Sequence, residues 1–222
     1  MISIVIPVLD EEKALPATLA SVLAQRGAFE VVVVDGGSRD ATCSTARASP
    51  GVRLIAASRG RGVQMNAGAR SARGEWLLFL HGDTVLPAGA LEAIAALPLP
   101  VVAGCFRQSF NHPHPLLSII SRLHNWRCAR TRIMYGDQAM FVRRTVFERL
   151  GGFPEADLED VKLSERLREY AAPVLLPETV VTDARKFLAH GILRSFIRIV
   201  LILLCHQFRL PLAGRRFLEP VR

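Results

Sequence analysis

Three observations in the sequence predict an α/β fold built on a doubly wound, mostly parallel sheet. From the N-terminus onward, β-branched apolar runs alternate with helix-patterned segments at short spacing, the arrangement that parallel pairing with right-handed crossovers requires. The run Trp76-Leu77-Leu78-Phe79-Leu80 is apolar throughout and lies between Gly74 and Gly82, as in a strand buried on both faces. Carboxylates stand where such runs stop, at Asp35 and Asp83, and ligands of open α/β sheets sit just beyond the carboxyl ends of strands.

The elements follow in order. Residues 3–8 are a β-branched run closed by Pro7, and Asp10-Glu11-Glu12 follows where a helix begins; acidic residues there complement the helix dipole. Leu15, Leu19, Val22 and Leu23 recur at helical spacing up to Gly27. Residues 29–34 read as a second strand ending at Asp35-Gly36-Gly37-Ser38, followed by a helix to about Ser49 and a third short strand at 52–56. A glycine- and arginine-bearing loop from Arg59 to Gly68 feeds a helix through Ala72, and a further helix is expected near 88–97 after the apolar strand.

Beyond residue 100 the pattern is less regular. A strand is expected at 101–106, broken by Asn111-His112-Pro113-His114-Pro115. Residues 116–128 read as a helix with Leu116, Leu117, Ile120, Leu123 and Trp126 near one face, and 136–142 as a strand. A short helix at 145–150 closes at Gly151-Gly152. Glu159-Asp160 opens a helix over 161–170 with Leu163 and Leu167 inward, and short strands are expected at 174–176 and 180–182.

Half of the 222 residues are hydrophobic, enough for one well-packed domain, or one with a small appendage, and contrary to a disordered chain. The four cysteines show neither CxxC pairing nor a Cys/His cluster, so no zinc site or disulfide framework is indicated. A net charge of +8 favours polyanionic partners: nucleic acid, anionic lipid headgroups or phosphorylated small molecules. No nucleic acid is expected, because no stretch interleaves aromatics with a basic strip. The N-terminus lacks the basic flank and cleavage site of a signal peptide and reads as a strand, which fits a cytoplasmic protein.

From Ile192 the tail is apolar, with Arg194 and Arg198 four residues apart. A spanning helix needs about 20 apolar residues, so the segment reads as an interfacial helix giving peripheral contact with the cytoplasmic face of the membrane through 192–210. The alternative is a buried C-terminal helix or an oligomer contact.

Three acidic sites fall at strand ends or helix starts near one edge of the predicted sheet: Asp35, Asp83 and Glu159-Asp160. Carboxylates so placed can receive a base or ribose, hold a cation and deprotonate an attacking hydroxyl. Asp83 reads as the ligand of a divalent cation that in turn holds a phosphate, or as the start of a turn. Asp35 equally suits a helix cap, and Glu159-Asp160 an acidic first turn.

Those jobs are the ones a sugar-nucleotide transferase must fill, and the ordered set resembles the family 2 glycosyltransferases, inverting enzymes with the GT-A fold, a Rossmann-like α/β architecture. Ile4-Val5-Ile6-Pro7-Val8-Leu9-Asp10-Glu11-Glu12 is similar to that family's first strand and acidic turn, with Asp10 where asparagine is more usual. Val32-Val33-Val34-Asp35-Gly36-Gly37-Ser38-Arg39-Asp40-Ala41-Thr42 resembles its nucleotide-binding loop, with Gly36 in place of a frequent second aspartate. The stretch from Gly60 to Gly68, containing Asn66, resembles its glycine-rich segment, and Leu78-Phe79-Leu80-His81-Gly82-Asp83-Thr84 its metal-binding strand end. A small bacterial subgroup carries this His-x-Asp-Thr version with Tyr135-Gly136-Asp137-Gln138 and Gly151-Gly152-Phe153 before Glu159-Asp160. The resemblance covers about residues 2–185.

The resemblance implies one GT-A domain over 1–190, with a nucleotide-binding half at 1–100 and an acceptor half at 101–190, followed by an amphipathic helical tail at 191–222. It implies that Asp35 contacts the nucleotide base, with Asp10 and Glu11 near the ribose or base and Gly36, Arg61 and Asn66 also on the nucleotide side. It makes Asp83 the ligand of Mg²⁺ or Mn²⁺, Asp160 the general base, and places Asp137, Gln138 and Glu159 on the acceptor side. His81, a poorer Mg²⁺ ligand than a carboxylate, reads as a second metal ligand, a sugar contact or a packing residue. Arg59 and Gln64 read as phosphate or sugar contacts or as solvated groups, and Asn125, Arg127 and Arg132 as acceptor lining. The Gln-x-x-Arg-Trp helix of processive synthases is absent, which implies transfer of a single sugar from a UDP- or GDP-sugar. The basic balance and apolar tail suggest a lipid-linked or membrane-associated acceptor. Two alternatives are a sugar nucleotidyltransferase, against which Asp10-Glu11-Glu12 repels a triphosphate, and a nucleotide-sugar-binding domain without turnover.

Overall fold

The computed structural model describes residues 1–155 and 157–207. Its strands are β1 (Ile2–Val8), β2 (Phe29–Asp35), β3 (Val52–Ala56), β4 (Trp76–Phe79), β5 (Thr84–Val85), β6 (Ala103–Phe110), β7 (Phe141–Arg143) and β8 (Val174–Thr182). The helices are α1 (Leu15–Leu23), α2 (Thr42–Ala48), α3 (Arg61–Ser71), α4 (Ala90–Ala95), α5 (Pro115–Thr131), α6 (Arg144–Arg149), α7 (Glu159–Tyr170), α8 (Arg185–His190) and α9 (Ile192–Gln207).

All eight strands form one sheet in the order β3-β2-β1-β4-β7-β6-β8-β5. β3, β2, β1 and β4 pair in parallel, as their alternation with helices predicts. β7 runs antiparallel to both β4 and β6, β8 parallel to β6, and β5 antiparallel to β8. The sheet grows from β1 towards β3 on one side and towards β4 on the other, so a crevice opens where these directions diverge, beyond the ends of β1 and β4.

Helices cover both faces. On one, Ile4, Ile6, Leu78 and Phe141 pack against Leu15, Leu19 and Val22 of α1 and Ile94 of α4. On the other, Val5, Val32, Val34 and Phe79 pack against Met65 of α3, Phe153, and Leu163 and Leu167 of α7. Burial on both faces is why these strands read as unbroken apolar runs rather than alternating ones.

Past residue 100 the structure departs from the expectations in three places. Residues 136–142 are not one strand: Gly136–Gln138 is a 3₁₀ turn, Ala139 is left-handed at φ 48°, and only Phe141–Arg143 pairs. The two short strands expected at 174–176 and 180–182 merge into β8. Leu176 pairs with Phe106 and Thr179 with Arg107, so Pro177, which has no N–H to give the ladder, sits with Glu178 in an irregularity. In α5 the expected apolar face is split, with Leu117 turned inward and Leu116, Leu123 and Trp126 outward. Leu117, Ser121 and Cys128 are buried, whereas Leu116, Ile119, Leu123 and Trp126 are exposed. Polar bonds dock this helix on β6: Asn125 accepts from the Gln108 amide at 2.9 Å, and the Ser121 hydroxyl donates to the Gln108 side chain at 3.1 Å.

No helix among the described residues is long and apolar enough to cross a membrane. Of the expected tail, residues 191–207 are described and 208–222 lie outside the described residues.

Candidate active site

Four chain segments meet at the crevice. The loop after β1 carries Asp10, Glu11 and Glu12, and the loop after β2 carries Asp35 to Asp40. The two are interlaced. Asp10 accepts from the Arg39 N–H at 2.8 Å, and its own N–H donates to the Ser38 hydroxyl at 3.0 Å. Glu12 accepts from the Ala41 N–H at 3.0 Å, and its N–H donates to Asp40 at 3.1 Å. Asp10 sits at φ 54°, a left-handed geometry that Asp tolerates better than most residues. Asp35 accepts from the N–H groups of Gly37 and Ser38 at 3.0 and 3.1 Å. It organises its own loop instead of capping α2, which starts seven residues on. Burial pushes its carboxyl up, but the Ser38 and Gly37 bonds outweigh this and hold it below the usual range.

Gly36 and Gln64 explain one another. The Gln64 amide donates to the carbonyls of Val8 and Val34, both at 2.8 Å, tying together the ends of β1 and β2. A Cβ on Gly36 would come within 2.9 Å of that amide carbon. Gln64 is therefore a buried strut rather than a solvated group. Asn66, two residues on, exchanges two bonds with the backbone of Phe153, at 2.8 and 2.9 Å, and so fastens α3 to the segment before α7.

The third segment is the loop after β4. His81 and Asp83 flank Gly82, and Asp83 lies at the edge of burial, 9 % exposed. His81 approaches Gly136 so closely that a Cβ there would lie 2.5 Å from its Nε2 and 3.3 Å from an Asp160 oxygen. The His81 Nε2 is buried without a hydrogen-bond partner. Burial, reinforced by the Arg61 guanidinium, pushes this imidazole down to about 4 against the pull of Asp83, Asp137 and Asp160, so it is neutral at neutral pH.

The fourth segment is the start of α7. Leu158 is left-handed at φ 58° and turns the chain into the helix. The Asp160 carboxylate accepts from the Gly136 N–H and from the Val161 N–H, each at 2.8 Å. Arg61, the first residue of α3, is ion-paired to Glu159 and lies 3.7 Å from Asp160. Burial disfavours its charge, but those two carboxylates raise its affinity for the proton. The structure thus places Arg61 on the acidic pair at α7.

Behind Asp160 is a second charged layer. Asp137 lies 3.3 Å from His124, and the Arg127 guanidinium stacks 3.6 Å from the centre of the Tyr135 ring. Burial pushes the Asp137 carboxyl up, but His124 foremost, with His81 and Arg127, brings it to about 2. Gln138 is fully buried, accepting from the Tyr135 N–H at 3.2 Å and donating to the Phe106 carbonyl at 3.4 Å. It shapes the turn that presents Gly136 and Asp137.

Two residues that the sequence reading passed over complete the site. Arg185 and Lys186 open α8. Arg185 is bonded to Glu11, while the Lys186 ammonium lies 3.3 Å from Glu11 and 3.2 Å from Asp83. The available signal was two adjacent cations one residue after the strand end Thr182-Asp183.

Among the described residues, no three His, Cys, Asp or Glu side chains are grouped to hold a metal ion. Asp83, a hard carboxylate oxygen donor just beyond β4, fits a Mg²⁺ or Mn²⁺ ion that takes its remaining ligands from water and phosphate.

The architecture, a parallel half continued by antiparallel strands with carboxylates at a topological switch point, is that of the GT-A glycosyltransferases. The chain belongs to glycosyl transferase family 2, whose family profile matches residues 3–151. It is 34% identical over 174 residues to a PGL/p-HBAD biosynthesis glycosyltransferase of Mycobacterium tuberculosis, covering 69% of this chain and 63% of that protein. The chain therefore spans less than two thirds of that relative. The mannosyltransferase PcManGT from Pyrobaculum calidifontis, solved with GDP-Man and Mn²⁺, superposes with a TM-score of 0.70 at 22% identity, over 99% of this chain and 67% of that one. The glucosyl-3-phosphoglycerate synthase from Mycobacterium tuberculosis, solved with Mn²⁺, UDP and glucosyl-3-phosphoglycerate, gives 0.67 at 17% identity, over 96% and 82%. S. aureus TarS with UDP-GlcNAc gives 0.62 at 20% identity, over 82% and 58%.

Proposed function

We propose that this chain transfers a single sugar from a UDP- or GDP-sugar to an acceptor hydroxyl by a metal-dependent, inverting displacement. The observation that carries this reading is the approach of His81, from the loop that bears Asp83, and of Asp160 to one glycine, Gly136; it supports a donor held at the first and an acceptor activated at the second. Family membership and the nucleotide and Mn²⁺ complexes of the structural neighbours support it.

In this mechanism Asp35 and the loop of Asp10, Glu11 and Gly36 receive the nucleotide. Asp160, fixed by the Gly136 and Val161 amides, takes the acceptor's proton as its oxygen attacks the anomeric carbon from the face opposite the leaving group. Arg61 and Glu159 hold that carboxylate in place, and Asp137 stands on the acceptor side. Asp83 would hold a divalent cation, Mg²⁺ or Mn²⁺, which when bound would supply charge neutralisation to the departing nucleoside diphosphate. Incubation with Mn²⁺ and a panel of UDP- and GDP-sugars is expected to release nucleoside diphosphate. Pyrophosphate-dependent exchange in its place would identify a nucleotidyltransferase, and metal-independent binding without turnover on varied acceptors a binding domain.

The acceptor in this reading is lipid-linked or membrane-associated. Its support is the exposed stripe of Leu116, Ile119, Leu123 and Trp126 on α5, beside the exposed Leu193, Ile197, Leu201 and Leu204 of α9. The two helices pack together, and neither contains an Asp or Glu while both contain arginines. Apolar stripes edged by cations suit an anionic membrane surface. The protein is expected to co-sediment with anionic vesicles and not with zwitterionic ones; equal recovery with both would remove the membrane from the proposal.

A further inference from the structure

The crevice poses an electrostatic problem that the parts described so far do not solve. A nucleoside diphosphate must settle beside Glu11 and Asp83, two carboxylates that repel it. Those carboxylates are already neutralised, and by residues of the same short helix. The Arg185 guanidinium is bonded to one oxygen of Glu11, and the Lys186 ammonium lies 3.3 Å from the other oxygen and 3.2 Å from Asp83 Oδ2.

The backbone that carries these cations is fastened to the metal loop. The Asp183 N–H donates to the Asp83 carbonyl at 3.0 Å, and the Ala184 N–H to the Asn111 side chain at 2.9 Å. Phe187 packs on Phe110 with ring centres 4.9 Å apart. The start of α8 therefore keeps its position, and any adjustment falls to the side chains. The two cations differ in what holds them. Arg185 pairs with Glu11 and also lies 3.9 Å from Asp183. Lys186 is the more exposed, 39% against 31%, divides its ammonium between Glu11 and Asp83, and ends a flexible four-carbon stem.

We propose that Lys186 is a tethered counter-cation of the metal carboxylate: it holds Asp83 while the crevice is empty and passes to the phosphate oxygens of the donor when a divalent cation takes Asp83. Arg185 stays on Glu11 throughout. The inference rests on Asp83 being the cation's ligand. Its thermodynamic content is a coupling. A divalent cation arriving alone must break the Lys186 contact and sit beside an ammonium, whereas one arriving with a diphosphate gives that ammonium a new partner. Metal and nucleotide thereby raise each other's affinity by the same factor.

The test is a set of calorimetric titrations of the whole chain with MnCl₂, alone and in the presence of UDP or GDP, for wild type, Lys186→Met, Lys186→Arg and Asp83→Ala, with circular dichroism confirming that each variant is folded. In wild type, nucleotide is expected to tighten Mn²⁺ binding at least tenfold. Lys186→Met should bind Mn²⁺ alone several-fold more tightly than wild type, bind nucleotide more weakly at saturating Mn²⁺, and lose most of the tenfold enhancement; Lys186→Arg should retain it. If wild type and Lys186→Met give the same Mn²⁺ affinities with and without nucleotide, the counter-cation role is wrong while the Asp83 assignment stands. If nucleotide-dependent Mn²⁺ binding survives Asp83→Ala, the assignment of Asp83 itself falls, and this inference with it.

Discussion

The two sides of the crevice are built on opposite plans. On the side proposed for the nucleotide, beyond β1 and β2, the carboxylates of Asp10, Glu12, Asp35 and Asp40 each accept from backbone N–H groups of the two interlaced loops. On the side proposed for the acceptor, around Gly136 and α7, buried polar atoms are left over: Nε2 of His81, Oδ1 of Asp137, and Nε and Nη2 of Arg127 make no hydrogen bond. His124 is at ion-pair distance from Asp137 but out of line for a hydrogen bond. Buried polar groups are nearly always satisfied, and each exception calls for an explanation. The contrast teaches that one side is finished by folding and the other is arranged for chemistry.

If that contrast is sound, substitutions on the acceptor side will cost activity and those on the nucleotide side will cost binding and stability. The largest effect is expected from Asp160→Asn, which keeps the size of the side chain and one of its two bonds from backbone amides but removes its basicity. Transfer should fall about 10²- to 10⁴-fold with donor affinity retained, measured by initial rates beside nucleotide titration; an unchanged rate would take Asp160 out of the mechanism.

Next comes acid sensitivity. His81 in the folded chain resists protonation down to about 4, whereas in the unfolded chain it binds a proton near 6.5. Its contribution is therefore complete above pH 6.5 and is lost as the pH falls towards 4, by as much as about 3 kcal/mol. Urea denaturation across that window should show the loss, and His81→Gln should flatten it; parallel curves would break the assignment.

Gly136→Ala forces a Cβ to within 2.5 Å of His81 and 3.3 Å of Asp160. It should destabilise the chain by about 1–3 kcal/mol and lower transfer more than donor binding, read from thermal melts and kinetics. The smallest effect belongs to the finished side. Asp35→Ala removes the acceptor for two amides, expected to cost about 1–2 kcal/mol of stability and to weaken nucleotide binding while leaving the turnover number near wild type. A loss of turnover equal to that of Asp160→Asn would erase the distinction between the two sides.

The same division governs what could be read from the sequence. The parallel half was legible because strands covered on both faces must be apolar throughout, and because carboxylates mark their ends: the bounds of β1, β2 and β3 differ from the expected ones by a residue or less. Asp35, Asp83 and Asp160 fall at the crevice as their positions implied. The rest was hidden for identifiable reasons. An apolar stripe has the same spacing whether it faces a core or the outside, so Leu123 and Trp126 gave no sign of their exposure. A left-handed alanine cannot be recognised from its neighbours, so Ala139 made a strand out of a turn. Gln64, Asn66 and Lys186 act by reaching across tens of residues to particular partners, and such reach leaves no periodic trace.

The Gln64 strut has a kinetic consequence. With a single amide bonded to the carbonyls of Val8 and Val34 and no room for a Cβ at Gly36, the distance between the loops that follow β1 and β2 is a fixed dimension of the protein. A donor bound as proposed would enter without the microsecond-to-millisecond loop travel that times many transferases. Adjustment at the site would fall to half-buried side chains at its rim, Lys186 among them.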